Sequence, residues 1–272
     1  MTENWSVGLW PRIVVAVLAL VAAGAPAVVA DDPRIAPLVK TGVVRVALDV
    51  ANPLLAVQDL ITTEYRGVTG GLANALAARI GVTLRVVAYS IPPEIMLALR
   101  DKALDAGFLA IDPTRAAVVD FSPALITVDN AYLIDPGSTI QEVGELDAAG
   151  VRIAVVSGYG PDLFLSRVLR RARVVRSTSL ASALDLVIAG QADAVAGPLP
   201  SLRAQTPRLP GARLLVDRFI GESYGIAVPK GQAAWLAYVT EFVEEAKASG
   251  LVQHGIDDLA LQGVHVAPPA RR

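Results

Sequence analysis

Short apolar runs alternate with segments of helical periodicity along most of this chain. Residues 42–49, 82–88 and 106–111 have the length and apolar content of strands, whereas residues 68–80 and 93–102 repeat their apolar positions with helical spacing. Strands that alternate with helices of this length form parallel sheets, because each helix returns the chain to the same edge. The first half of the chain is therefore predicted to form an α/β unit.

The same alternation restarts in the second half, after a turn at Asp135, Pro136 and Gly137. A strand over residues 127–134 ends at this turn. Beyond it, strands are predicted over residues 151–156, 173–176, 192–196, 213–216 and 222–228, and helices over residues 161–171, 179–189 and 233–248. The proline-rich tail over residues 263–272 is expected to be frayed. Two successive α/β units predict a fold of two Rossmann-like lobes.

The two predicted units are joined by two crossings of the chain, near Ala131 and near Tyr224. We expect residues 31–130 together with 224–272 to form lobe one, and residues 131–223 to form lobe two. A hinge of two crossovers leaves a cleft between the lobes, which is the architecture of proteins that close on a ligand.

The N-terminus has the pattern of a cleavable signal peptide. Arg12 precedes an apolar run over residues 13–23, which is too short to span a bilayer comfortably. Val28 and Ala30 fit the small-residue positions before a cleavage site, so residues 1–30 are predicted to be removed and the mature protein to be periplasmic. An uncleaved anchor is the alternative, and the lack of a following cysteine excludes a lipoprotein anchor.

The composition excludes several classes of function. The chain has no cysteine, which excludes disulfides, thiol catalysis and cysteine-ligated zinc. A net charge of −2 without a block of basic residues argues against a nucleic-acid surface. The two histidines, His254 and His265, both lie near the C-terminus, far from the predicted cleft, and the H-E-x-x-H motif is absent. No cofactor and no metal are expected.

An arginine follows the predicted strand over residues 106–111. Asp112 and Pro113 mark the start of a helix, because aspartate caps helix N-termini and proline suits the first turn. Arg115 then lies just beyond the carboxyl end of a strand, the edge of an α/β sheet where ligands bind. It can bind a carboxylate bidentately, and an exposed surface arginine is the alternative.

Several segments of the sequence stand in the order and spacing of a known family. They are residues 38–47 opening the first strand, 67–81 forming the first helix, Asp105 with Arg115 and the DFSP of residues 120–123, and the GQADA within residues 189–195. Together they resemble the extracytoplasmic solute-binding proteins of ABC importers, in family 3, which includes the polar amino-acid binders. The resemblance covers residues 31 to about 269 and implies a type II periplasmic binding protein fold.

The resemblance also implies where a ligand would bind. In that family an arginine at the position of Arg115 binds a ligand carboxylate, the loop after the first strand supplies a lid side chain, and the first turn of the second lobe donates N–H groups and a hydroxyl. Tyrosines near the cleft could stack on a ligand, although packing in the hinge is an alternative for Tyr224. The candidate ligand-binding residues are Arg115, Asp49, Asn52, Leu54, Tyr65, Ile111, Asp112, Ser157, Gly158, Tyr159, Gly160, Pro198 and Tyr224.

The sequence departs from the family pattern in three places. Pro198 stands where polar amino-acid binders carry the acid that holds the α-ammonium, Ala124 replaces an aromatic, and the segment from Asp105 to Arg115 is about two residues shorter. We therefore predict a carboxylate ligand, with a standard α-amino acid as one candidate. A partner for an ammonium group could instead be one of three other acids: Asp112, Asp162 and Glu222. For Asp112 and Asp162 the alternative role is that of a helix cap or a first-turn acid.

The function predicted from the sequence is capture without chemistry, by the solute-binding component of an ABC importer. A closed, ligand-bound monomer is expected to dock on a membrane permease. One alternative is a periplasmic enzyme on the same fold, similar to cyclohexadienyl dehydratase, with Glu64 or Glu222 as a conceivable general acid. The other alternative is a ligand sensor that acts on a membrane receptor.

Overall fold

The computed structural model describes residues 32–52, 55–59 and 65–270, with residues 217–221 described by their backbone alone. The helices are α1 (Ala36–Thr41), α2 (Gly67–Ile80), α3 (Pro92–Arg100), α4 (Pro113–Ala116), α5 (Gly160–Val168), α6 (Leu180–Ile188), α7 (Leu199–Gln205), α8 (Ala233–Ala248) and α9 (Leu251–Asp258). The strands are β1 (Val43–Asp49), β2 (Val57–Gln58), β3 (Tyr65–Arg66), β4 (Thr83–Tyr89), β5 (Ala106–Ala110), β6 (Val119–Phe121), β7 (Ile126–Ile134), β8 (Arg152–Val156), β9 (Arg173–Ser177), β10 (Ala194–Pro198), β11 (Arg213–Pro229) and β12 (Val264–Val266).

Most of these strands form a single mixed sheet in the order β4-β1-β5-β11-β7-β10-β8-β9, with β12 on β7 and β6 on β11. At one end of the sheet β1 is parallel to β4 and β5, and at the other end β8 is parallel to β9 and β10. These are the parallel pairings that the strand–helix alternation predicts. The two parallel sets therefore hold their carboxyl ends at the edges where ligand sites form.

The long strands β7 and β11 connect the two parallel sets. Residues 213–217 of β11 pair with the second half of β7, and residues 221–224 pair with its first half, with an irregularity between Asp217 and Gly221. Residues 224–227 of β11 also pair antiparallel with β5 of the first parallel set. Residues 130–134 of β7 pair antiparallel with β10 of the second parallel set. The connection between the halves is thus a two-stranded antiparallel ribbon.

The buried apolar side chains form separate clusters in the two halves. The largest cluster gathers residues from 35–128 and 224–264, including Phe108 and Tyr238, and a smaller one lies on the other face of the same strands. Two further clusters gather residues from 131–209. The lobe boundaries proposed from the sequence remain a prediction, which this separation of apolar side chains supports.

Several local predictions from the sequence are wrong. Residues 38–41 do not open the first strand but belong to α1, because the left-handed Gly42 ends a helical turn before β1 begins. The tail is not simply frayed, since residues 264–266 form β12 against β7. The separate strands predicted over 213–216 and 222–228 are one strand, β11.

The predicted signal peptide and Leu54 lie outside the described residues. Within the part of the chain that the structure describes, no helix combines the length and the apolar character needed to cross a membrane.

Candidate ligand-binding site

Arg115 is held at the carboxyl end of β5 by a short, capped helix. The carboxylate of Asp112 accepts a hydrogen bond from the N–H of Thr114 at 2.8 Å, which starts α4 as the Asp-Pro pair predicts. Arg115 is only 5% exposed, so the alternative of an exposed surface arginine is wrong. Its Nη1 donates to the carbonyl of Ala110 and its Nη2 to the carbonyl of Gly158, both at 2.8 Å.

The second of these bonds joins the two halves of the molecule. Gly158 belongs to the turn between β8 and α5, so Arg115 reaches from the first parallel set to the second. An arginine carries five N–H donors, and these two bonds use one donor of each Nη. The guanidinium is therefore buried, oriented and still able to donate to a further acceptor.

Two buried carboxyl groups face the charge of Arg115. Asp49 ends β1 and accepts a hydrogen bond from the N–H of Ala51 at 3.1 Å. Burial raises the pKa of Asp49, and the hydroxyl of Tyr159 and the charge of Arg115 only partly offset this effect. Burial also raises the pKa of Tyr159, with a further contribution from the neighbouring Asp49 carboxyl. The phenol is therefore a neutral donor at physiological pH.

The second carboxyl, Glu222, comes from β11 and is 6% exposed. Its space exists because residue 160 is glycine: a Cβ on Gly160 would overlap the Glu222 carboxyl. Burial raises the pKa of Glu222, against the opposing influences of Arg115, Tyr224, Asn130 and the N–H of Gly160. Neither carboxyl oxygen has a hydrogen bond of normal geometry to any described residue.

The turn over residues 157–160 was predicted to present N–H groups to a ligand. In this structure three of them are bonded within the protein: Ser157 N–H to the carbonyl of Ser177 at 2.9 Å, Gly158 N–H to Oδ2 of Asp162 at 2.9 Å, and Tyr159 N–H to the carbonyl of Val156 at 3.3 Å. The N–H of Gly160 lies near the Glu222 carboxyl. The turn faces Arg115 with a carbonyl instead, that of Gly158, whose φ of +76° is readily adopted only by glycine.

Two adjoining cavities lie around these groups. The smaller, of about 10 Å³, is bordered by both Asp49 and Arg115. The larger, of about 320 Å³, extends toward the second parallel set, and its volume is at the lower end of the range for small-molecule sites. Four residues line both cavities: Asn52, Tyr159, Glu222 and Tyr224.

The structure brings together some of the predicted site residues. Asp49, Asn52, Arg115, Tyr159, Pro198 and Tyr224 line one or both cavities. The turn residues Ser157, Gly158 and Gly160 do not line them, although Gly158 contacts Arg115 directly. Tyr224 is buried, so its predicted alternative of packing also fits its place in the apolar core.

Other predicted residues lie apart from the cavities. Tyr65 is half-buried and packs against the apolar core of the first half, and Ile111 is 36% exposed. Asp112 caps α4 and forms an ion pair with Arg167 of α5 at 2.6 Å. Although its partial burial raises the pKa of Asp112, the bonds to Arg167 and Thr114 hold it below its usual range. Its position matches the capping alternative.

Some residues that line the larger cavity were missed in the sequence. They are Ser90, Thr178, Ser179, Ser201 and Gln205. Ser201 and Gln205 lie on α7, which was not predicted because prolines at its start interrupt the helical pattern. Ser90 and Thr178 directly follow the ends of β4 and β9, and the rule that ligands bind at carboxyl ends of strands could have found them.

The described residues offer no catalytic nucleophile or metal site of a familiar kind. Residues 221–225 read G-x-S-x-G, but Ser223 lies within β11 rather than on the strand-to-helix turn of a nucleophile elbow. Ser223 and His265 are not neighbours in the sheet, because each pairs with Thr127 of β7, which lies between them. No group of three potential metal ligands occurs among the described side chains.

Comparison with known proteins places this architecture in a family. Residues 44–257 match the bacterial extracellular solute-binding proteins, family 3. The chain belongs to this family. One curated relative is the ABC transporter glutamine-binding protein GlnH of Bacillus subtilis (strain 168), which is 27% identical over 142 residues, 52% of each chain. The match thus spans about half the length of that relative.

Solved structures of similar proteins confirm the predicted type II fold. ArgBP from T. maritima has a TM-score of 0.69 and 25% identity, with 84% of this chain and 99% of that chain covered. An ancestral amino acid-binding protein, described as a precursor of cyclohexadienyl dehydratase, has a TM-score of 0.69 and 24% identity over 83% and 98% of the chains. The solute receptor for L-cysteine of Neisseria gonorrhoeae has a TM-score of 0.70 and 19% identity over 83% and 92%.

Proposed function

We propose that this family 3 protein captures a small carboxylate-bearing solute, an amino acid or a related organic acid, and presents it to the permease of an ABC importer. It acts as a periplasmic monomer, exported by the signal peptide predicted over residues 1–30. Binding takes place between lobe one (residues 31–130 and 224–272) and lobe two (residues 131–223). No chemical step is involved.

The observation that carries this proposal is the buried guanidinium of Arg115, which borders the smaller of the two adjoining cavities. A buried arginine with free donors is a strong site for a carboxylate, because the planar guanidinium can form two parallel charge-assisted hydrogen bonds. Asp49 and Glu222 lie near this charge, and burial raises the pKa of both carboxyls while Arg115 opposes that rise.

The ligands of similar proteins support the same proposal. GlnH is named for glutamine, and ArgBP of T. maritima has been solved in an arginine-bound form. Both ligands are amino acids and therefore carry a carboxylate. The carboxylate is thus the chemical feature that the two ligands share. We propose this feature for the ligand of the present chain, and not the identity of either ligand.

Closure follows from contacts that exist only when the two halves meet. Arg115 donates to Gly158 across the halves, so a carboxylate held by Arg115 lies next to the turn of the second half. A ligand that contacts both halves binds the closed state more tightly than the open state, and this difference drives closure. The closed complex is the form that docks on the permease.

The test is a comparison of Arg115→Ala with the wild-type protein in a thermal-shift and calorimetric screen of amino acids and organic acids. Loss of a buried charge partner costs about 2–5 kcal/mol, so the variant should lose most affinity for any wild-type ligand. Arg100→Ala is the matched control, because Arg100 is exposed and pairs only with its neighbour Asp101 among the described residues. Unchanged binding by Arg115→Ala would contradict the proposed site.

An enzyme on the same fold is a second candidate, and one observation favours it. Glu222 is a buried carboxyl with a raised pKa beside a cavity, which is what a general acid requires. Incubation with a cyclohexadienyl acid, followed by ultraviolet detection of an aromatic product, distinguishes the two functions. Turnover that disappears in Glu222→Gln would favour the enzyme, and stable binding without product would favour transport.

A further inference from the structure

The larger cavity has a distinctive charge pattern. Glu222 is the only aspartate, glutamate, lysine or arginine among the described residues that line it. Much of the remaining wall is apolar and includes Val156, Leu180, Ala196 and Pro198. A charged ligand group buried there against an apolar wall would cost several kcal/mol, unless it met Glu222.

Among the carboxyls of the described residues, Glu222 is unusual because it is buried without a well-formed hydrogen bond or an ion pair. Its two oxygens have no hydrogen bond of normal geometry, although Tyr224, Asn130 and the N–H of Gly160 lie beside them. Buried polar groups are nearly always paired in well-formed bonds, so a carboxyl without one beside a cavity can accept a further partner. Gly160 keeps the space for this carboxyl open.

The other two acids considered as ammonium partners already have partners of their own. Asp112 caps α4 and pairs with Arg167. Asp162 accepts from Gly158 N–H and pairs with Arg176 at 2.9 Å. Neither of them lines either cavity. Among these three acids, only Glu222 is available to a ligand.

The groups around Glu222 fit a ligand that carries both charges. Arg115 and Glu222 border the same small cavity, so one donor-rich and one acceptor-rich group face a single space. Tyr224 on the same strand and Tyr159 before α5 also border this space, together with Asp49 from β1. Burial raises the pKa of both tyrosines, which leaves them neutral.

We propose, resting on the carboxylate-binding function above, that Glu222 binds the ammonium group of the ligand while Arg115 binds its carboxylate. The ligand is then an α-amino acid with an uncharged side chain, which occupies the larger cavity. Pro198 stands on the wall of that cavity and carries no charge, so the acidic contact comes from the connecting strand β11 instead. Binding sets the positive charge of the ammonium group against the Glu222 carboxylate.

The experiment uses the mature protein and matched ligand pairs that differ only in the ammonium group. The pairs are L-leucine with 4-methylpentanoate, L-phenylalanine with 3-phenylpropanoate, and L-glutamine with 4-carbamoylbutanoate, each measured by calorimetry. For at least one pair the amino acid should bind at least about thirtyfold more tightly than its partner, the ratio expected for a buried charge pair. This comparison needs no variant.

Glu222→Gln, a change of nearly equal volume, then tests the residue itself. It should weaken the amino acid at least about thirtyfold and leave the des-amino acid nearly unchanged, whereas the exposed control Glu142→Gln should change neither. In the wild-type protein the affinity for the amino acid should fall as the pH is lowered, because a protonated Glu222 cannot pair with an ammonium. This dependence on pH should disappear in Glu222→Gln.

The outcomes separate the two proposals. If ligands bind but no amino acid binds more tightly than its des-amino partner, or Glu222→Gln leaves amino-acid affinity unchanged, the role of Glu222 is wrong while the carboxylate site stands. If no member of any pair binds, and no other acid of the wider screen does, the proposed function fails and this inference fails with it. A selective loss of affinity for the amino acid in Glu222→Gln supports both the carboxylate-binding function and the role of Glu222.

Discussion

The two halves of the molecule are built alike at one edge and differently at the other. At the start of β1 in the first half, Asp105 accepts from the backbone N–H and the guanidinium of Arg45, with 2.7 Å between Nη2 and Oδ1. At the start of β8 in the second half, Asp193 accepts from Arg152 in the same way, with a corresponding distance of 2.8 Å. Each pair thus joins a residue near the start of one strand to the residue just before the neighbouring strand of the sheet, which is β5 for Asp105 and β10 for Asp193.

The opposite edges, at the carboxyl ends of the same strands, no longer correspond. In the first half β5 leads through a capped turn to the buried Arg115, whereas in the second half β10 ends at the uncharged Pro198 and leads into α7. This difference supports the proposal that one edge of each half stabilises the fold while the other edge binds the ligand. It also shows that the charges of the candidate site come from the first half and from the connecting strand.

The largest expected effect comes from filling the space of Glu222 at the ligand edge. Gly160→Ala places a methyl group against the Glu222 carboxyl, and we expect a loss of about 3 kcal/mol in the free energy of unfolding. Ligand affinity should fall as well, because Glu222 must move. Urea denaturation and calorimetry measure the two effects.

Gly71→Ala is the matched control for this change. A Cβ on Gly71 would meet no atom within 4 Å, and this glycine lies within α2. Alanine there should stabilise the protein by about 0.5–1 kcal/mol. Equal stability of Gly160→Ala and the wild-type protein would show that the glycine is not required by the carboxyl.

A medium effect is expected from breaking either of the equivalent pairs at the other edge. Asp105→Ala and Asp193→Ala each remove the acceptor of a backbone N–H and a guanidinium, and we expect about 1–2 kcal/mol of lost stability for each. Asp101→Ala, in an exposed pair, should leave stability nearly unchanged. Ligand affinity should stay unchanged in Asp105→Ala and Asp193→Ala. A large loss of affinity in either variant would show that this edge also contributes to ligand binding.

The second of these pairs should also respond to pH. The bond to Arg152 holds the pKa of Asp193 below its usual range, so its contribution is present above the pKa of an unfolded aspartate. That contribution is lost as the pH falls through the lower pKa of the folded state. The difference in unfolding free energy between wild type and Asp193→Ala should therefore shrink at acidic pH, as urea denaturation over a pH series would show.

The smallest effect is expected at the rim, where Arg167 of α5 pairs with Asp112 across the two halves. Arg167 is about half exposed, so Arg167→Ala should cost only about 0.5 kcal/mol of stability. It should speed ligand release about two- to threefold at low salt, measured by stopped flow. Arg208→Ala breaks an exposed pair within the second half and should leave release unchanged. Equal release rates in Arg167→Ala and Arg208→Ala would show that the pair of Arg167 and Asp112 does not stabilise the closed form.

Much of this architecture could be predicted from the sequence because it depends on local patterns. The position of Arg115 followed from an Asp-Pro turn after a short apolar run, and the parallel strands followed from their alternation with helices. The paired Asp-Ala steps at 105 and 193 are also visible in the sequence, although their arginine partners lie about 60 and 41 residues away in the chain.

The remainder depends on contacts between distant segments, which local patterns do not carry. Glu222 was one of three candidate acids, and only the fold shows that Gly160 leaves its carboxyl buried while the other two are paired. The turn at 157–160 looked like an N–H donor, but bonds to Asp162 and Ser177 occupy two of its N–H groups. Long-range packing decided both outcomes.

The ribbon of β7 and β11 has a kinetic consequence. Glu222 lies on the ribbon itself, and the proposed closure would rotate the halves about this ribbon, so we expect the surroundings of Glu222 to change little. Arg115 and Gly158 belong to the two parallel sets on either side of the ribbon, so we expect their contact to form only on closing. We therefore expect a ligand to contact Glu222 first and Arg115 second. Changes at Glu222 should then slow capture, whereas changes at the Arg115 contact should shorten the lifetime of the complex.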